Sequence, residues 1–99
     1  MDRHYVCVQG DLYCTWHGEP PVYRVYVGEE LFAERTFIWR NCFLRETLHL
    51  QVSTGKYAIK FELQSDQAEL KVENLQVIQG PAWIKSGWLL KVGSANPKE

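Results

Sequence analysis

Between residues 23 and 37 the chain alternates apolar and polar side chains, pauses at Gly28-Glu29-Glu30, and then alternates again. Side chains that change face at every residue fit a pleated strand and no helix, because a helix returns to one face only every three to four residues. A glycine between two such runs marks a hairpin. The same period returns over 6–16, 44–52 and 57–63, and helical spacing wins in no window longer than about ten residues. The chain is therefore expected to be all-β, a single antiparallel β-sandwich of seven to eight strands with jelly-roll or Greek-key-like connections.

The phase of each run assigns its faces. Val6, Val8, Leu12, Cys14 and Trp16 share one side with Gly10, while Tyr5, Cys7, Gln9, Asp11, Tyr13 and Thr15 take the other. One strand bent at Gly10, passing from one sheet to the other, is expected here. His17-Gly18-Glu19-Pro20-Pro21 is a loop, since neither proline can donate to a ladder. In the hairpin, a two-residue loop at Gly28-Glu29 would pair Val27 with Glu30 and Val25 with Phe32. A three-residue loop pairs Val27 with Leu31, Val25 with Ala33 and Arg24 with Glu34. The second sets small apolar groups and opposite charges against each other, worth roughly 0.2–1 kcal/mol per pair, and is the register expected. It puts Tyr26 against Phe32 on the face away from Val25 and Val27.

Leu44, Leu48, Leu50 and Val52 form the next face, with Glu46 as an exception, and Ser53-Thr54-Gly55-Lys56 reads as a hairpin turn. Tyr57, Ile59, Phe61 and Leu63 form the cleanest strand face. After a turn at 64–67, Leu70 and Val72 lie on even positions but Leu75 and Val77 on odd ones, so a bulge or bend is expected at Glu73-Asn74. A break at Gln79-Gly80-Pro81 precedes one last apolar segment, 83–92. The domain is read as 1–93, with 94–99 a polar tail.

Ninety-nine residues make one domain, able to bury about two-thirds of its unfolded surface without a disulfide or metal. Cys7, Cys14 and Cys42 are odd in number and lack Cys-x-x-Cys spacing, which fits reduced thiols and synthesis in a cytoplasm. The start of the chain carries no signal-peptide apolar region. A net charge of −1, spread without like-charge runs, argues against a nucleic-acid or membrane-surface partner.

No catalytic motif is present, and an enzyme is not expected. His4, His17 and His49 lie in separate segments, so no zinc spacing exists, and a Cys–His nucleophile pair would have to form in space. Cys7 and Cys14 are expected in the core. No cofactor is expected; a weak alternative is calcium held by Asp66, Glu73 and Asn74, whose oxygens are hard ligands. Four tryptophans are the compositional excess. Trp16 belongs with the core by phase, and Trp39 with the core or its edge. Tyr26, Phe32, Ile38, Trp83 and Trp88 are the candidates for contact with a partner or ligand, because rings carry much of the energy of such contacts. They act as an exposed patch unless the segment 83–92 covers the Tyr26 face.

The run Cys14-Thr-Trp-His-Gly-Glu-Pro-Pro-Val-Tyr-Arg-Val-Tyr-Val27, followed by Leu31-Phe-Ala-Glu-Arg-Thr-Phe37, resembles short proteins encoded by tailed, especially aquatic, bacteriophages. The likeness extends through Gly55-Lys-Tyr-Ala-Ile-Lys-Phe-Glu-Leu63 and Gly80-Pro-Ala82. It implies a β-sandwich virion component, such as a capsid decoration (cement) protein, that binds capsid or another virion protein and self-associates. A more distant likeness is to calcium-dependent xylan-binding carbohydrate modules, through Val25-Tyr-Val27, Gly55-Lys-Tyr-Ala-Ile59 and Asn74-Leu-Gln-Val77. That family's acid-rich metal loop has no clear counterpart here. The second likeness implies a glycan partner as the alternative.

Overall fold

In the computed structural model, which describes residues 3–39 and 42–93, the alternating runs become eight strands, with no helix among the described residues. They are β1 (Arg3–Trp16), β2 (Val22–Val27), β3 (Glu30–Thr36), β4 (Phe43–Ser53), β5 (Gly55–Leu63), β6 (Ala68–Gln79), β7 (Ala82–Lys85) and β8 (Leu89–Val92). Two antiparallel sheets face each other, one in the order β4-β1-β6 and one in the order β3-β2-β5-β8-β7. The all-β sandwich expected from the alternation is what forms. The polar tail at 94–99 lies outside the described residues.

The core is the sum of the inward phases. Val6, Val8, Leu12 and Trp16 of β1 and Leu48 and Leu50 of β4 meet Tyr23, Val25 and Val27 of β2, with Phe37, Ile59, Leu90 and Val92 completing the cluster. Removing such side chains from water at roughly 25 cal/mol per Å² supplies the main driving force. β1 is one unbroken strand, as expected, but it does not change sheets. It runs through the centre of the three-stranded sheet, and its ladder with β4 continues without slip from Arg3↔Ser53 to Tyr13↔Phe43. Gly10 instead leaves room for Leu75, whose Cδ1 packs against it.

The β2–β3 hairpin combines both registers weighed from the sequence. Gly28 and Glu29 form a two-residue turn with Val27 opposite Glu30, and a bulge then restores Val25↔Ala33 and Arg24↔Glu34. Gly28 has φ 64° at the first central position, the conformation a type II′ turn requires and glycine adopts without strain. Phe32 is the extra residue, so Tyr26 pairs with Leu31 rather than with Phe32. The expected pairing of Val27 with Leu31 is thereby corrected.

On β6 the expected phase slip is a bulge. Asn74 has φ 55°, and the ladder with β1 shifts between Gln9 and Asp11, moving Leu75 and Val77 inward after Leu70 and Val72. The segment at 53–56 is not a hairpin turn, since β4 and β5 belong to different sheets. Likewise 83–92 is not one run: it folds into the β7–β8 hairpin about Ser86 and Gly87, both at positive φ. That hairpin joins the five-stranded sheet beside β5 and so does not cover the Tyr26 face.

Candidate functional site

The outer face of the three-stranded sheet carries the odd residues of β1 and β4 in register. At one end, Tyr13 and Phe43 are cross-strand partners whose rings stack with centroids 5.5 Å apart. The Arg45 guanidinium lies 5.6 Å from the Phe43 centroid, close enough for a cation–π contact. Its Nε also donates to Asp11 Oδ1 at 3.1 Å, while Asn74 Nδ2 donates to Asp11 Oδ2 at 3.0 Å. The bulge at Asn74 thus satisfies a carboxylate that is only 7 % exposed. The Asn74 hydrogen bond, and then Arg45, hold the Asp11 carboxyl below its usual range.

The Tyr13–Phe43 pair forms one wall of a cleft of about 530 Å³ that Cys14, Trp16, His17 and Cys42 also line. Trp16 Nε1 donates to the Trp39 carbonyl at 2.9 Å, and Trp39 packs edge-on against Phe37 at 5.8 Å. This fixes the chain just after β3 at the same end of the sandwich. Ile38, Trp39, Phe43 and Tyr13 are exposed by 59, 40, 45 and 39 %. Trp39, expected in the core or at its edge, therefore has its backbone anchored while much of its ring stays in water. Exposed apolar groups concentrated at one end, with Arg45 and His17 beside the Tyr13–Phe43 pair, have the composition of a contact surface.

At the other end of the same face, Tyr5 Oη lies 2.6 Å and Cys7 Sγ 3.8 Å from His49 Nδ1. Burial, and then the adjacent Cys7, push the Tyr5 hydroxyl above its usual range. This is the spatial Cys–His approach that the sequence left open. Both groups share one ring nitrogen, and Cys7 is 3 % exposed, so its sulfur is closed to a substrate in this arrangement. Cys7 is buried as expected, but from the outer face of its sheet. Cys14 is half-buried and packs against the core.

Between the sheets, Glu46 is not an exception to the alternation: it points inward like its neighbours and is 7 % exposed. Tyr23 Oη donates to Glu46 Oε1 at 2.6 Å, and Arg35 Nε sits 2.8 Å from the same oxygen. Burial, and then the bond to Glu46, raise the Tyr23 hydroxyl well above its ordinary value. The signal lay in the sequence as three polar groups at inward phases, but their meeting needed the sheet pairing.

The five contact candidates are dispersed. Tyr26 is half-buried on the outer face of the five-stranded sheet, with Lys60 Nζ 5.9 Å from its ring centroid. Phe32 sits in the β3 bulge beside a second cleft that Val27, Leu31, Leu50, Val52 and Tyr57 also line. Trp83 is half-buried on β7 opposite Lys91, and Trp88 is 52 % exposed in the β7–β8 turn. Of the five, Ile38 alone lies at the aromatic end. Sequence phase alone does not single out Tyr13 and Phe43 as contact candidates, because only the β1–β4 register pairs them. For calcium, Glu73 is paired with Lys71 at 2.8 Å, Asn74 turns its amide to Asp11, and Asp66 sits apart in the β5–β6 connection. No group of three or more His, Cys, Asp or Glu among the described residues is placed to hold a metal.

Comparison with known proteins finds no matching family model, no matching curated protein and no matching solved structure.

Proposed function

We propose that this protein is a non-enzymatic structural component that attaches to a larger assembly through the aromatic end of its sandwich. The observation that carries this reading is the stacked, water-exposed Tyr13–Phe43 pair on the wall of an open cleft, with Ile38 and Trp39 exposed on the stretch of chain that Trp16 anchors at the same end. Apolar groups left in water at one place stabilise a complex by being covered, and rings in such a patch supply most of the binding energy. The resemblance to short tailed-phage proteins makes a capsid or other virion protein the partner of choice. Purified protein mixed with capsids that lack it should bind saturably, and Phe43→Ala should weaken binding at least tenfold while leaving the fold intact. Failure to bind, or binding indifferent to that change, would count against the proposal.

One observation favours a second reading. The stacked Tyr13–Phe43 rings adjoin a polar group of Asp11, Arg45, Asn74, Gln9 and Gln76, which line a shallow cleft together. Rings beside fixed hydrogen-bonding groups suit a glycan. A glycan array, run with and without calcium, tests it; silence in both conditions removes it.

A further inference from the structure

Three strands cannot cover five, and the strand left open is β3. Six of its seven residues are exposed and only Ala33 is half-buried, whereas β2 beside it buries every second residue. Glu46 of β4 touches Tyr23 of β2 and Arg35 of β3, so β4 lies above these two strands and β3 projects beyond it. On this side, among the described residues, both sheets also end in unpaired edges, since β4 bonds only β1 and β3 only β2. Open edges are normally blunted by bulges, charge or brevity. β6 is bulged twice, β7 has four residues and β3 is bulged at Phe32, regular only from Ala33 onward, but β4 has eleven in unbroken register.

We infer that this open side is the interface for a second copy of the chain. β4 runs in the direction of β2, because Glu46 meets Tyr23 near the start of β2 while Leu50 and Val52 share a cleft with Val27 at its end. β3 is antiparallel to β2 and hence to β4. Rotation by 180° about an axis parallel to the strands preserves strand direction and exchanges the two layers. It sets β3 of each copy beside β4 of the other, as an antiparallel pair, in a stepped joint. Each β3 then extends the partner's three-stranded sheet and covers the inner face of the partner's β3. One operation satisfies both open edges and both uncovered faces, as an isologous interface requires. A direct β4-to-β4 joint fails this test, because the two projecting β3 strands would collide. The inference goes beyond the attachment role of the aromatic end and stands independently of it.

The Arg35–Glu46 contact sets the heights of β3 and β4, placing position 34 of one copy beside position 47 of the other to within about one pleat repeat, since paired residues share a face. Within one chain these two positions point outward from opposite sheets, which pack roughly 10 Å apart, so no intrachain disulfide can join them. Glu34→Cys combined in turn with Arg45→Cys, Thr47→Cys and His49→Cys, followed by mild oxidation and peptide mapping, reads the joint directly. The expected result is an interchain link in one combination, together with a solution mass twice the 11.6 kDa of the chain. Leu31→Lys with Thr47→Lys, at surface positions of the two edges, should yield a folded monomer with an unchanged circular dichroism spectrum. A wild-type monomer up to millimolar concentration overturns the inference. So does a dimer that forms none of these links or survives the lysine variant.

Discussion

Glu46 shows what a single inward polar residue does in this sandwich. Its carboxylate receives the hydroxyl of Tyr23, which is 0 % exposed, and the guanidinium of Arg35 from the opposite sheet. Losing a partner while the other group stays buried costs about 1–3 kcal/mol. Glu46→Leu should therefore lower the unfolding free energy by about that amount in urea melts, chiefly by stranding the Tyr23 hydroxyl. Combining it with Tyr23→Phe should cost less than the sum of the two single changes. Asp11 sets a pH dependence. Its carboxyl is held below the ordinary value of 3.8 by Asn74 and Arg45, so its contribution is complete above that value and disappears as pH falls through the lowered one. Urea midpoints measured between about pH 5 and pH 2 should fall less steeply in Asp11→Asn than in the wild type. At this scale the sequence disclosed inward and outward faces through period two, and Trp16 and Val25 landed where their phase put them. It could not disclose Asp11–Asn74 or Tyr23–Glu46, which join residues 63 and 23 positions apart.

The elements were legible where local chemistry suffices. The phase slip at Glu73-Asn74 announced its bulge, because two inward residues on each side demanded one extra residue between them. Hairpins and sheet-crossing arches use the same turn residues, so Ser53-Thr54-Gly55 read as a hairpin while it carries the chain from one sheet to the other. The β2–β3 turn had two competing registers, and the bulge at Phe32 let the chain adopt part of each. Gly80 marks the most constrained of the crossings. It lies at φ 108°, and a methyl group there would run into the Tyr5 carbonyl oxygen. Gly80→Ala should destabilise by about 2–3 kcal/mol, since backbone strain and a clash act together. Thermal melts of that variant should show a midpoint lowered by roughly 10 °C or more.

For the whole molecule, two unequal sheets leave distinct surfaces with distinct properties. The side of β3 and β4 offers backbone edges and an uncovered strand, while the Trp16 end offers rings. The candidate site was only partly legible in advance. Ile38 stood out as an exposed apolar residue in a connection, but the pairing of Tyr13 with Phe43 depends on a β1–β4 ladder between distant segments. Tyr26, Trp83 and Trp88 drew notice for the same ring chemistry, yet strand order sets them on other faces. The most direct measurement of the proposed attachment role is co-sedimentation of the purified chain with capsids of the proposed tailed-phage partner assembled without it, comparing wild type, Phe43→Ala and, as a control, Trp88→Ala. Saturable wild-type binding is expected, at least tenfold weaker with Phe43→Ala and unchanged with Trp88→Ala. No co-sedimentation of the wild type, or equal binding by wild type and Phe43→Ala, would contradict it.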